Sequence, residues 1–218
     1  MKLEQFIRKN QQLALSLGKE ESAVVIYLMH ILNYSSSELY LHMGDKVTDF
    51  ILDKFEDEFR LYLYENKPIQ YIVGYQTFYG YDFLVDDRVL IPRFETEELV
   101  ENILELYDNY FAGMQVDVCD IGTGSGAIGI TLAKEEPNMS VTITDISFDA
   151  LEVAKANNNR LNANVNILQG DMVQPLYGMK FDIIVSNPPY IPDSEEVQSL
   201  VVDNEPNIAL FGGNDGLK

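Results

Sequence analysis

The stretch "QVDVCDIGTGSGAIGITLAKEE", residues 115–136, places a glycine-rich turn between two apolar segments of different character. Up to Ile121 the apolar residues suit a buried strand, and from Gly126 onward their spacing suits a helix. The glycines at positions 122, 124 and 126 let the backbone turn tightly and let a ligand approach closely. The helix that begins here directs free N–H groups toward such a ligand. The stretch therefore predicts a strand–turn–helix unit with a ligand at the turn.

The segments around this unit continue the alternation of strands and helices. Helices are predicted at "ETEELVENILELYDNYF" and "SFDALEVAKANNNRLN", and strands at "SVTITDI", "VNILQGD" and "FDIIVSN". This order favours an α/β fold with a doubly wound, mostly parallel sheet over residues 95–218. Upstream, residues 1–67 predict an N-terminal helical bundle. Residues 68–94 are rich in Tyr, Phe, Val and Ile with glycines between, and predict a short β-hairpin linker made of strands and turns.

The charge balance limits the partners that the chain can bind. Its 218 residues include 35 acidic and 15 basic side chains, for a formal net charge of −20. Proteins that bind duplexes gain affinity from Lys and Arg at phosphates, and no basic stripe is present here. We therefore expect no direct contact with nucleic acid. A basic protein partner is the more natural one, because opposite potentials speed encounter.

Several features point to a cytoplasmic protein without a membrane partner. No apolar run is long enough to span a bilayer, and "MKLEQFIRKN" lacks the apolar core of a signal peptide. The single cysteine, Cys119, has no internal disulfide partner, and its apolar surroundings predict a small buried residue. His30 and His42 lie in predicted helices without a second cluster of ligands, so no metal site is expected.

Two acidic positions follow predicted strands and are candidates for cofactor binding. Open parallel sheets bind ligands beyond the carboxyl ends of their strands, so these positions should meet Gly122 at one edge. Asp145 can accept hydrogen bonds from both hydroxyls of a ribose, which suits a nicotinamide dinucleotide and S-adenosylmethionine equally. Asp171 or the backbone beside it can meet the edge of an adenine, with Met172 against the ring.

The residues after the fourth strand, Asn187-Pro188-Pro189-Tyr190, separate the two cofactor classes. The prolines stiffen the chain where the strand meets solvent. Asn187 offers a side-chain carbonyl oxygen and Pro188 a backbone carbonyl, which together can hold the hydrogens of a planar NH₂ group, while Tyr190 can pack against the substrate. Methyl transfer to such a nitrogen needs this positioning, and hydride transfer does not.

With these motifs in place, the chain resembles the bacterial N5-glutamine methyltransferases that modify class 1 peptide chain release factors. The segments "PIQYIVGYQTFYG", "VLIPRFETEELV", "SNPPYI" and "EPNIALFGGNDGL" carry the resemblance beyond the loops above. The resemblance implies a class I methyltransferase domain preceded by a helical bundle that docks the release factor and by a hairpin linker. It implies methyl transfer from S-adenosylmethionine to the glutamine amide of a Gly-Gly-Gln loop, with S-adenosylhomocysteine as the second product. Separately from the resemblance, we expect a monomer.

Matching positions imply a role for each candidate residue. The methionine part of the cofactor would lie along Gly122, Thr123, Gly124, Ser125 and Gly126. Asp145 would take the ribose hydroxyls, and Asp171 with Met172 would border the adenine. The run from Asn187 through Pro188 and Pro189 to Tyr190 would hold the glutamine amide, with Asn187 also bordering the cofactor.

The chain departs from the family pattern at three places. Phe94 stands where the family has a proline in "IPRPETE", and Met172 stands where the family often has tryptophan. The chain ends at Lys218, where the family continues into a further helix and three more strands. We therefore expect a C-terminally incomplete domain in which the strand before Asn187 lies at the edge of the sheet.

Three alternatives remain open at this point. One is a nucleic-acid methyltransferase acting on an exocyclic amine such as N6 of adenine, which uses a similar motif. A second is a non-catalytic fragment that binds the cofactor and grips a release factor. The third is a dehydrogenase, since Gly122, Gly124 and Ala127 also satisfy the dinucleotide pattern.

Overall fold

A computed structural model describes residues 1–195 and 199–216 of the chain. It divides into two compact units, Met1–Val73 and the residues from Gly74 onward. None of the helices in the described ranges has the length and apolar character that crossing a bilayer requires.

The first unit is helical, as the sequence predicts. Its helices are α1 (Leu3–Ser16), α2 (Ser22–Leu32), α3 (Ser36–Leu41), α4 (Asp49–Lys54), a π-helical turn (Phe55–Phe59), α5 (Arg60–Tyr64) and α6 (Ile69–Val73). Aromatic rings fill much of its core. Phe55 packs edge-on against Phe6 and Tyr27, with ring centroids 4.8 and 5.2 Å apart. The Tyr27 hydroxyl donates to Glu58 at 2.9 Å, so the one polar atom of this buried ring is paired.

Helix α6 corrects the prediction that residues from Pro68 onward are extended. The Pro68 carbonyl accepts hydrogen bonds from the N–H groups of Tyr71 and Ile72, which closes a helical turn. Gly74, with φ of +82°, ends the turn in a conformation that favours glycine. Ile69, Tyr71 and Val73 are all buried. Their alternate spacing imitates a half-buried strand, which explains why the sequence predicts strands here.

The predicted hairpin follows, and it belongs to the second unit. Strands β1 (Tyr75–Phe78) and β2 (Tyr81–Leu84) pair antiparallel through a two-residue turn at Tyr79 and Gly80. Both turn residues have positive φ, 50° and 80°, as the tightest hairpin turns require. Phe78 and Phe83 are buried in the same core as the large sheet. The hairpin we expected as a linker is therefore a packed part of the second unit.

The rest of the second unit confirms the predicted α/β class. Its described strands are β3 (Val116–Ile121), β4 (Met139–Asp145), β5 (Asn166–Gln169) and β6 (Ile183–Ser186). Its described helices are α7 (Glu95–Tyr110), α8 (Ala127–Glu135), α9 (Phe148–Leu161) and α10 (Ser199–Val202), with short 3₁₀ turns at Gln174–Leu176 and Asn207–Ala209. These four strands run parallel in the order β5-β4-β3-β6, which places β6 at an edge of the sheet as described.

The strand order places a switch point between β3 and β6. From β3 the chain winds through α8, β4 and α9 toward β5, and then crosses back to the other side of β3. Ligands bind at such points in open parallel sheets. Cys119, in the middle of β3, is fully buried, and burial raises the pKa of its thiol to about 11. It is a core residue, as predicted.

Candidate active site

A cavity of about 620 Å³ lies at the carboxyl ends of the strands in the second unit. The strand register explains why its walls meet there. Ile121 pairs with Ser186 of β6 and with Thr144 of β4, so the loops that begin at Gly122, Asp145 and Asn187 start side by side. Among the predicted site residues, those that line the cavity are Gly122, Thr123, Gly124, Ser125, Asp145, Asp171, Met172, Asn187, Pro188 and Pro189. The volume is in the range of small-molecule sites.

Gly126 and Tyr190 are not among the lining residues. Gly126 precedes α8 with φ of +86°, and a methyl group there would lie 2.5 Å from Cδ1 of Ile130. It is therefore needed for the close packing of the helix rather than for the cavity wall. Tyr190 is 69% exposed and does not line the cavity, and its expected packing against the substrate stays a prediction.

The glycine-rich turn is held by hydrogen bonds at its back. Gly122 and Thr123 donate their N–H groups to the Thr144 carbonyl, each at 2.9 Å, and Gly124 donates to the Asp145 carboxylate at 2.9 Å. Gly122 and Gly124 have φ of +72° and +57°, and a methyl group at either position would meet no atom within 4 Å. The turn is thus rigid behind and open toward the cavity.

Asp120 anchors this turn from inside the protein. One oxygen, Oδ2, accepts from the Thr123 hydroxyl at 2.5 Å and from the Gly129 N–H at 3.1 Å. The other, Oδ1, is buried without a protein partner among the described residues. Burial raises the pKa of this carboxyl to about 6, although both hydrogen bonds favour the charged form. Asp120 therefore couples the cavity wall at Thr123 to the start of α8.

The raised pKa predicts how stability changes with pH. The folded Asp120 holds its proton up to about pH 6, whereas the ordinary value is 3.8, so in this interval the folded protein binds more protons and loses stability as pH rises. Asp120→Asn removes the carboxyl group that titrates, and with it this loss of stability as pH rises. The variant should gain about 3 kcal/mol relative to the wild type between pH 4 and pH 7. Urea unfolding of both proteins at the two pH values measures this; unfolding free energies that change in parallel would contradict it.

Asp145 lies beside the turn with both carboxylate oxygens in use. Oδ2 accepts from Gly124 N–H and Oδ1 from Ser147 N–H, both at 2.9 Å. Ser147 caps α9, because its hydroxyl accepts a hydrogen bond from Ala150 N–H at 3.2 Å. Each carboxylate oxygen has a second lone pair. Asp145 can therefore still accept from hydroxyl groups of a ligand in the cavity.

The far end of the cavity is bordered by Gly170, Asp171 and Met172. A methyl group at Gly170 would lie 2.7 Å from the Pro175 ring, so this loop needs glycine to fold back closely. Met172 adopts φ of +46° and its side chain is 55% exposed. The exposed thioether offers an apolar surface to a planar group at this end of the cavity.

Asn187 stands at the opposite end. Its Nδ2 donates to the Thr96 hydroxyl at 3.5 Å, which leaves the side-chain carbonyl oxygen as an acceptor. Pro188 and Pro189 follow directly and line the cavity. Phe94 is the residue before α7, is exposed and is not among the residues that line the cavity. The nearby residues Pro92, Arg93 and Thr96 do line the cavity.

Sequence reasoning missed a buried asparagine that supports the site. Asn157 of α9 is fully buried, and its amide donates to the Ser125 and Leu84 carbonyls and accepts from Leu84 N–H. It thus ties the glycine-rich turn to the hairpin. The helical spacing of Ala150, Val153, Ala154 and Asn157 places all four on the buried face, which was the available signal.

Comparison with known proteins identifies related sequences over both units. Residues 96–204 match the family described as "Methyltransferase small domain", and residues 10–74 match "PrmC N-terminal domain". A protein of Bacillus cereus named "Release factor glutamine methyltransferase" is 43% identical over 204 residues, covering 92% of this chain and 72% of the relative. Relatives with the same name from Bacillus subtilis and Streptococcus pneumoniae are 44% and 40% identical, covering 92% and 100% of this chain and 71% and 77% of their own lengths.

Proposed function

The chain belongs to the release factor glutamine methyltransferase family, and we propose that it methylates the side-chain amide nitrogen of a glutamine in class 1 release factors. One observation carries the proposal. The Asn-Pro-Pro turn after β6 and the glycine-rich turn after β3 line the same cavity, because Ser186 pairs directly with Ile121. An amide acceptor and a methyl donor would therefore meet at the switch point of the sheet.

The acceptor end of the cavity suits a primary amide. An amide nitrogen is a poor nucleophile because its lone pair is delocalised over the carbonyl. The Asn187 side-chain oxygen and the Pro188 carbonyl can accept its two hydrogens and so turn the lone pair toward the cavity. Both acceptors keep their direction because the prolines fix the backbone. They also favour the positive charge that develops on nitrogen during transfer, and the proton leaves to solvent afterwards.

The donor end fits S-adenosylmethionine. When bound, this cofactor supplies an electrophilic methyl group on a sulfonium and departs as S-adenosylhomocysteine. Asp145 would accept from the ribose hydroxyls, and Asp171 and Met172 would border the adenine. The open turn at Gly122 and Gly124 would accept the methionine part, since a side chain would otherwise fill that space. The carboxylates of Asp145 and Asp171 also suit a cationic ligand.

Asp145→Asn is expected to weaken binding of S-adenosylmethionine about tenfold or more, because a hydrogen bond to a charged acceptor is replaced by one to a neutral amide. Isothermal titration with S-adenosylmethionine measures the Kd. The matched control is Asp149→Asn, which removes a carboxylate from an exposed position in the first turn of α9. Equal Kd values for the two variants would contradict the role assigned to Asp145.

The first unit is proposed to dock the release factor. Residues 10–74 match the N-terminal domain of the same family, and the net charge of −20 favours a basic protein surface over nucleic acid. The chain is further proposed to act as a monomer in the cytoplasm.

The reaction can be tested by locating the methyl group. The purified chain is incubated with S-adenosylmethionine and an unmethylated class 1 release factor, and the product is mapped by mass spectrometry. We expect one methyl group on the glutamine of the Gly-Gly-Gln loop. A release factor with that glutamine changed to alanine and a plain DNA duplex are the controls. Methylation of the duplex, or of the altered release factor, would contradict the proposal.

A further inference from the structure

Glu205 joins two walls of the cavity that are distant in sequence. Its carboxylate is only 2% exposed, and it accepts from the Ile91 N–H at 3.1 Å and from Nη2 of Arg93 at 2.6 Å. Pro92 and Arg93 line one wall of the cavity, and Pro206 and Ile208 line another. The contact thus fixes one wall against the other through a buried charge and two donors.

The segment that begins at Glu205 is also hydrogen-bonded to Ile191, two residues after the Asn-Pro-Pro turn. We name residues 205–213 the strap. Ile191 donates its N–H to the Leu210 carbonyl at 3.1 Å, and Gly212 donates to the Ile191 carbonyl at 2.9 Å. A methyl group at Gly212 would lie 2.6 Å from the Pro189 oxygen, so the two backbones touch. The strap therefore holds the turn that presents the two amide acceptors.

The wall that Glu205 holds, at Pro92 and Arg93, leads to a second contact with the Asn-Pro-Pro turn. Thr96 follows Arg93 by three residues, and its hydroxyl accepts from the Asn187 amide at 3.5 Å. Contacts therefore run from Asn187 through Thr96 to Arg93, from Arg93 through Glu205 into the strap, and from the strap back to the turn. Glu205 and Arg93 are the charged members of this ring, which includes Asn187 at the acceptor end of the cavity.

A buried carboxylate is a costly way to join two loops. Removing it from water costs free energy that the attraction of Arg93 only partly offsets, since the Arg93 side chain is 40% exposed and water screens the pair. An apolar contact would hold the loops without this cost. What the carboxylate adds is direction, because its two oxygens fix the Ile91 N–H and the Arg93 guanidinium at once.

We propose that Glu205 is a positioning residue for the methyl acceptor, and that through Arg93 and the strap it sets the distance between the segment around Thr96 and the Asn-Pro-Pro turn. The proposal rests on the proposed function, because the acceptor is the glutamine amide assigned there. Glu205 itself touches no reacting atom in this arrangement. Removing Glu205 should make the positioning of the glutamine amide less precise and leave the donor end of the cavity intact.

Glu205→Gln keeps the shape of the side chain and one acceptor for Ile91, and removes the charge. We expect kcat/KM for the release factor to fall about tenfold or more, since a small misplacement of reacting groups is costly. The Kd for S-adenosylmethionine should stay at the wild-type value. Arg93→Gln should act through the same contact, so the double variant should lose no more than the worse single variant.

Amide hydrogen exchange provides a measurement that needs no turnover. Glu205→Ala should speed exchange at Ile91 and at Ile191, while the amides of the β3–β4 ladder, such as Val118, exchange as in the wild type. Unchanged exchange at Ile191 would overturn the proposal, as would a Kd for S-adenosylmethionine that rises in parallel with the loss in kcat/KM. If the wild type methylates no release factor, the proposed function fails, and the exchange data still decide whether Glu205 holds the turn.

Discussion

Asn187→Ala is expected to lower kcat for methyl transfer to a release factor about 100-fold or more, as the loss of one preorganised polar group does at other sites where charge develops. The variant removes the acceptor that orients the amide nitrogen toward the methyl group. Asn187 follows β6 directly, and Thr96 already occupies its NH₂ end, so its carbonyl oxygen is the part left for substrate. Single-turnover methylation at saturating S-adenosylmethionine measures the effect.

Two further variants make this result interpretable. Asn187→Asp keeps an oxygen acceptor at the same place and should retain more activity than the alanine variant. Asn159→Ala removes an asparagine from an exposed position of α9 and should leave kcat unchanged. A value of kcat for Asn187→Ala equal to that of Asn159→Ala would exclude Asn187 from the chemistry.

Gly129→Val is expected to lower the free energy of unfolding by about 3 kcal/mol or more, at the upper end of overpacking effects. Gly129 lies in α8, where the helix packs directly on β3 and β4. A methyl group at this position would lie 2.4 Å from Cγ2 of Ile143 and 3.2 Å from Cβ of Asp120. Both neighbours are fully buried and are held close to their own backbones, so neither can move aside.

Gly44→Val is the matched control, because a methyl group at Gly44 would meet nothing within 4 Å. Urea unfolding of the two variants compares the same chemical change in a packed and an open position. We expect Gly129→Val to lower the free energy of unfolding and Gly44→Val to leave it unchanged. Since Gly129 also donates to Asp120, a valine there is expected to disturb the turn at Thr123 and weaken cofactor binding. Similar midpoints for the two variants would show that α8 can shift away from the sheet.

The sequence by itself determined the α/β class and the edge of the sheet where the cavity lies. The alternate glycines at 122, 124 and 126 predicted a tight turn, and the structure has positive φ at all three. Ser147 is placed to cap α9, and it does so. These are local properties, set by a few neighbouring residues. Because the carboxyl ends of parallel strands lie at one edge of the sheet, Asp145 and Asn187 were expected at the same cavity, and both line it.

Tertiary structure decided the features in which distant residues meet. Ile69, Tyr71 and Val73 alternate in burial as a strand would, and only packing within the first unit makes them helical. Tyr190 precedes Ile191, which pairs with the distant residues Leu210 and Gly212, so the exposure of Tyr190 could not be inferred from the motif.

The buried polar residues show most clearly that a local sequence pattern does not predict contacts between distant residues. Asp120, Asn157 and Glu205 each support a wall of the cavity, and two of the three bind partners far along the chain. Glu205 and Ile91 are separated by 114 residues, and Asn157 and Leu84 by 73. A local pattern indicates which face of a helix is apolar. It does not indicate which distant donor will bind a buried oxygen. That pairing is set only when the chain folds, because the free-energy cost of burying a polar atom favours arrangements in which a partner lies opposite it.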